Sequence, residues 1–174
     1  AAEKDKVAIC GYHGWHDWYL AANIKSKKNL NNHLIKNLNP KGVPLNLKNT
    51  IFPFEYNNIL SLEKIIKKHN IGIIKMEVKR EEEPKNNFLQ KVRKLCNEKN
   101  IILIFDECTS GFRNCFGGLH KVFNVKPDMA MFGNWVWNLE EPESPNVHKE
   151  IVSYFEMALT KYYHQGAIRA AEWS

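Results

Sequence analysis

What the chain lacks narrows it first. None of its four cysteines, Cys10, Cys96, Cys108 and Cys115, stands in a CxxC pair, so a zinc site built on such pairs is not expected. Cys10 and Cys96 fall inside apolar patterns and read as small core residues. Reduced thiols in a cytoplasmic protein are the simplest account of all four. No stretch is long and apolar enough to cross a membrane. The opening Ala1-Ala2-Glu3-Lys4-Asp5-Lys6 carries charge where a signal peptide would carry an apolar run. It has no initiator methionine, which fits a segment cut from a longer chain, and no internal repeat is visible.

What is present is ordinary for a globular domain: 174 residues, 44% apolar and 25% charged, enough for one domain with a core. The formal net charge is +6. Its lysines are spread along the chain, and the densest run, Lys25, Lys27 and Lys28, has no aromatic interleaved for base stacking. Solvated lysine, rather than a specific nucleic-acid surface, is the expectation.

Periodicity then gives the architecture. Val7-Ala8-Ile9-Cys10 is a short apolar run stopped by Gly11, as in a buried strand, and the aromatic stretch Tyr12 to Tyr19 opens a helix. Residues 25–58 are rich in Asn, Lys and Pro and read as a long excursion. Leu60, Leu62, Ile65 and Ile66 mark one helical face entered through Asn57-Asn58, and Phe88, Val92, Leu95 and Cys96 mark a second. Ile71 to Ile74, Ile101 to Phe105 and Asp128 to Phe132 read as strands. Strand, helix, strand is the unit of a mostly parallel sheet flanked by helices, an α/β fold. Ligands of such sheets sit beyond the carboxyl ends of the strands. Tyr12-His13-Gly14, Glu77 and Asp106-Glu107 all fall there. After Gly133 the pattern changes to an acidic link and then a stripe of Val147, Ile151, Tyr154, Phe155, Ala158, Leu159 and Tyr162. That stripe predicts an amphipathic helical tail, so the chain divides into 1–133 and 134–174.

Several residues in the first part suit chemistry. Asp106 ends an apolar strand, where a carboxylate is costly unless paired. A cationic heterocycle nitrogen would pair it; a solvated or capping Asp is the other reading. Tyr12, His13 and Trp15 offer flat rings beside Gly14, either for stacking on a ligand or as an aromatic cluster. His13 and His16 stand at metal-ligand spacing, but no third ligand is evident, so no metal is expected. Arg113 could grip a carboxylate or phosphate; pairing with Glu107 is favoured.

Taken together, three runs resemble the class III, fold type I pyridoxal-phosphate (PLP) enzymes, in particular the branch like glutamate-1-semialdehyde aminomutase. They are Tyr12-His13-Gly14-Trp15-His16-Asp17, the run ILIFDECTSGFR from Ile102 to Arg113, and Gly117-Gly118 followed by Lys126 to Gly133. The resemblance covers about residues 4–133. It implies part of a PLP-transferase large domain, amino-group transfer by an aminotransferase or 2,1-aminomutase, a small amino or carbonyl substrate, and a homodimer. It also implies roles: Tyr12 stacked on the pyridine ring, His13 lining that pocket, Asp106 on the pyridinium nitrogen, and Cys108 against the other ring face. Glu107 and Glu77 would stand behind these or on the substrate side. Glu77 is followed by Val78 where the family usually has Pro.

One departure bears on activity. After Phe132-Gly133 the family carries the lysine that binds the cofactor covalently and moves the substrate proton; this chain has Asn134. An amide forms no imine and is too weak a base for that proton. Lys126 lies at the opposite end of the short strand, and nothing in the sequence gives Lys75 a suitable direction. The expectation is an inactive fragment, the other reading being a non-catalytic α/β module. Beyond Asn134 the family pattern is not matched, and the turn that cradles the cofactor phosphate is absent.

Overall fold

A computed structural model describes residues 2–133, except Trp15 and Arg80. Asn134 and the expected helical tail lie outside the described residues. Five strands form one sheet: β1 (Lys6–Cys10), β2 (Ile51–Pro53), β3 (Ile71–Glu77), β4 (Ile102–Asp106) and β5 (Met129–Met131), in the order β2-β1-β3-β4-β5. Every neighbouring pair is parallel. Among the described residues three α-helices accompany them: α1 (Asp17–Leu20), α2 (Ile59–Lys68) and α3 (Phe88–Lys99).

Alternation along the strands divides the core in two. Ala8, Cys10, Ile74, Met76, Leu103 and Phe105 share one cluster with Leu62 of α2 and Phe88, Leu89, Val92 and Cys96 of α3. Ile9 points the other way, joining Tyr19, Ala21, Ala22, Leu30 and Ile51 in a second cluster. With both faces covered, β3 is buried along almost its whole length.

The helices start and stop for local reasons. The Asn58 side chain caps α2 by accepting the Ser61 backbone N–H at 3.1 Å. Lys67 and Lys68 occupy its last turn, where the helix dipole favours cations. Asn100 ends α3 at φ 54°, the left-handed conformation that asparagine tolerates. Leu60 corrects the expected apolar face, being 64% exposed. The face against the core carries Ile59, Leu62, Ile65 and Ile66 instead.

The excursion at 25–58 is also corrected, because it contains β2. Ile51, Phe52 and Pro53 pair with Val7, Ala8 and Ile9. Three residues ending in proline give almost no strand signal, and an edge strand is where such a proline is tolerated. Buried Asn23 ties the excursion down: its amide donates to the Leu38 carbonyl at 2.8 Å, and its oxygen accepts the Leu30 N–H at 3.1 Å. Residue 71 onward is strand to Glu77, three residues further than the apolar run suggests.

Candidate functional site

The carboxyl edge of β1, β3 and β4 brings the chemical residues together. Glu77 and Asp106 are register partners at the last positions of β3 and β4. Parity then puts Lys75, two residues before Glu77, on the same face. Gly11 follows β1 at φ +105°, and a Cβ there would overlap the Glu77 carboxylate. Glycine therefore lets the chain turn and lets Glu77 approach. Glu77 is buried and accepts the Tyr12 backbone N–H at 3.1 Å, which fixes the start of the aromatic segment.

Asp106 is the centre of the site and is 6% exposed. Its Oδ2 lies 2.9 Å from His13 Nδ1 and 3.1 Å from Lys75 Nζ, and its Oδ1 accepts the Cys108 N–H at 3.2 Å. Burial pushes the Asp106 carboxyl up, but the His13, Cys108 and Lys75 interactions outweigh it and hold the carboxyl well below the usual range. Burial, aided by the Lys75 charge, lowers His13 in spite of the Asp106 hydrogen bond, so its imidazole is neutral. An ionised carboxylate only accepts, so Nδ1 carries the His13 proton and donates it. Among the described residues the buried Nε2 has no hydrogen-bond partner.

The sequence reading gave Lys75 no direction and did not single out Trp18. Lys75 is 8% exposed and points at Asp106; its spacing from Glu77 was the signal, hidden because the apolar run stops at Ile74. Trp18 lies with its ring centroid 5.1 Å from Lys75 Nζ, in cation–π range, and stacks at 6.2 Å on His13. Tyr12 packs edge-on against Tyr19 at 5.8 Å, beside the second core cluster. Cys108 lies against Gly133, where a Cβ would come 3.2 Å from its sulfur.

Glu107 is organised differently. It is 1% exposed and accepts from the Ser110 hydroxyl, the Leu119 N–H at 3.1 Å, the His120 N–H at 3.0 Å and His120 Nδ1 at 2.8 Å. It gathers the loop after β4. The expected Arg113–Glu107 pair is not formed, because those donors fill the carboxylate and Arg113 sits half-buried further along the loop. A separate open cavity of about 550 Å³ is lined by Gly11, His33, Glu55, Tyr56, Glu77 and Glu81 among others. Asp106, His13 and Lys75 do not line it.

A buried carboxylate held ionised at the carboxyl edge of a parallel sheet is what a cationic ring nitrogen needs. The sequence profile described as "Aminotransferase class-III" matches residues 10–136. The chain belongs to the class III aminotransferase family. It is 36% identical over 143 residues to a 3-aminobutyryl-CoA aminotransferase of Cloacimonas acidaminovorans, a match covering 78% of this chain and 30% of that one. It is 35% identical over 141 residues to a glutamate-1-semialdehyde 2,1-aminomutase of Methanobrevibacter smithii, covering 76% and 32%. The chain thus spans about a third of the length of these relatives. Among solved structures it resembles an omega-transaminase from Sphaerobacter thermophilus, with a TM-score of 0.62 at 23% identity over 76% of this chain and 32% of that one. A "Transaminase with PLP bound" gives a TM-score of 0.60 at 19% identity, covering 76% and 31%. These likenesses establish the fold. The family is PLP-dependent.

The residues present fit that cofactor at one end. Asp106 suits the ring nitrogen, since three donors leave a carboxylate room for another. The aldehyde lies across the ring from that nitrogen, and the sequence carries Asn134 where the family has its lysine. Lys75 lies against Asp106 itself.

Proposed function

We propose that this chain carries the ring-nitrogen part of a PLP site from an enzyme of amino-group transfer, aminotransferase or 2,1-aminomutase, acting on small amino and carbonyl compounds. The observation that carries the proposal is Asp106, buried and held ionised at the carboxyl edge of the sheet. When bound, the cofactor would supply a ring that acts as an electron sink. Asp106 would face the ring nitrogen, while His13 fixes the Asp106 carboxylate through Nδ1 and the Cys108 N–H holds its second oxygen. Tyr12 and Cys108 flank the ring, with Glu77, Glu107 and Arg113 behind them or toward substrate.

The same reading makes this chain, by itself, inactive in transfer. Asn134 supplies neither an amine for the aldehyde nor a base for the substrate proton. The family match ends at residue 136, which supports a boundary near 133 between the cofactor-domain segment and the rest. Free thiols at all four cysteines suit a reducing compartment such as the cytoplasm. A second reading, a non-catalytic α/β module, is favoured by one feature: the Lys75 ammonium is paired with Asp106.

Borohydride reduction of the protein mixed with PLP, followed by peptide mapping, separates these outcomes. Scattered, substoichiometric lysine adducts are expected. One stoichiometric adduct at a single lysine would overturn the inactivity and identify a relocated amine.

A further inference from the structure

Lys75 is a feature of the site that neither the family motifs nor the proposed chemistry uses. Its ammonium sits 3.1 Å from Asp106 Oδ2, with the Trp18 ring 5.1 Å away, and the residue is 8% exposed. It is therefore held between a carboxylate and an aromatic face, out of water. Its position follows from register: Lys75 pairs with Ile9 on one side and Ile104 on the other. That places its side chain on the face of Glu77 and Asp106. His13 adds a proton donor to the same carboxylate oxygen but no charge, since its imidazole is neutral. The Lys75 ammonium thus stands directly against Asp106, one positive charge to one negative in the pair, with buried Glu77 as the further carboxylate on this face.

We propose that Lys75 determines the specificity of this pocket: it is the resident counter-cation of Asp106, and it admits a heteroaromatic ring only with the ring nitrogen unprotonated. This inference rests on the ring-nitrogen reading above. A pyridinium brought to Asp106 meets a fixed ammonium beside the carboxylate and is repelled at short range in a poorly solvated site. A neutral ring nitrogen is an acceptor, and an ammonium carries three donors, of which Asp106 needs one. Lys75 therefore converts a carboxylate that protonates rings into a salt bridge that donates to them. A ring held this way is a weaker electron sink, which agrees in direction with the loss of the lysine at position 134.

The test uses pyridoxine 5'-phosphate labelled with 15N in the ring, which has no aldehyde and so no covalent chemistry. Calorimetry gives its affinity, and the ring 15N shift reports its protonation. Unmodified protein is expected to bind it weakly with a neutral nitrogen, and Lys75→Met at least tenfold more tightly with a protonated one. Equal affinities, or a protonated ring in the unmodified protein, would overturn the proposal. Should neither protein bind, the ring-nitrogen reading falls, and the His13 titration decides the inference without ligand. An upward move of the His13 pKa in Lys75→Met supports the resident cation, and an unchanged titration sinks it. If Lys75→Met does not fold, the unmodified protein still answers. A slowly exchanging ammonium 15N signal from Lys75 at neutral pH supports the pair, and a signal averaged with water refutes it.

Discussion

At the scale of single residues, the molecule depends on a charge balance inside it. Asp106→Asn would leave the Lys75 ammonium buried without its counter-charge. Breaking a buried pair in this way costs about 3 kcal/mol, measurable by urea unfolding at neutral pH. The double change Asp106→Asn with Lys75→Met should recover most of that loss, because the orphaned charge is gone. His13 gives a pH dependence of definite sign. Burial, with help from Lys75, lowers its folded pKa beneath the ordinary value. As pH falls through about 6.5, the unfolded chain takes a proton that the folded chain refuses. Stability therefore drops from about pH 7 downward until the folded His13 protonates. His13→Gln should flatten that part of the profile. The depressed Asp106 acts at lower pH: its contribution is full above about 3.9 and fades as pH falls toward its folded pKa.

At the scale of elements, α2 offers a clean comparison. Leu62 is fully buried against the sheet, whereas its neighbour Leu60 is mostly exposed. Leu62→Ala should cost about 2–5 kcal/mol by transfer and cavity terms, and Leu60→Ala less than about 0.5 kcal/mol. Asn58→Ala removes the cap on the Ser61 N–H and should cost about 1 kcal/mol. Chemical denaturation of the three variants checks the order. The comparison also shows what sequence pattern could reach. The existence of α2, α3 and four of the five strands was legible, because apolar runs and helical spacing are local signals. Leu60 was misplaced because it lies about 100° around the helix from Ile59, and two adjacent apolar residues do not reveal which of them leads the stripe.

At the scale of the whole molecule, the two core clusters share one sheet. Ala8 and Cys10 of β1 face one cluster while Ile9 faces the other. Neither cluster can dissolve while the other keeps its strands. Amide exchange in β1, β3 and β4 should therefore occur with one common opening free energy, and separate values for the two faces would contradict this. The excursion at 25–58 belongs to the same unit through β2 and the buried Asn23.

The sequence by itself determined the fold class, the strand ends at which the site lies, and Asp106 as the carboxylate to watch. It also determined that position 134 carries an amide. Each of these is written in local pattern or in residue identity. The tertiary structure decided what Asp106 touches. His13 is 93 residues away in the chain, and Lys75 reaches Asp106 only because the β3–β4 register sets Glu77 opposite it. Strand β2 likewise exists because β1 offers three partners for a segment with little strand signal of its own. Register and pairing are non-local, and it is they that turn a buried acid into a closed salt bridge.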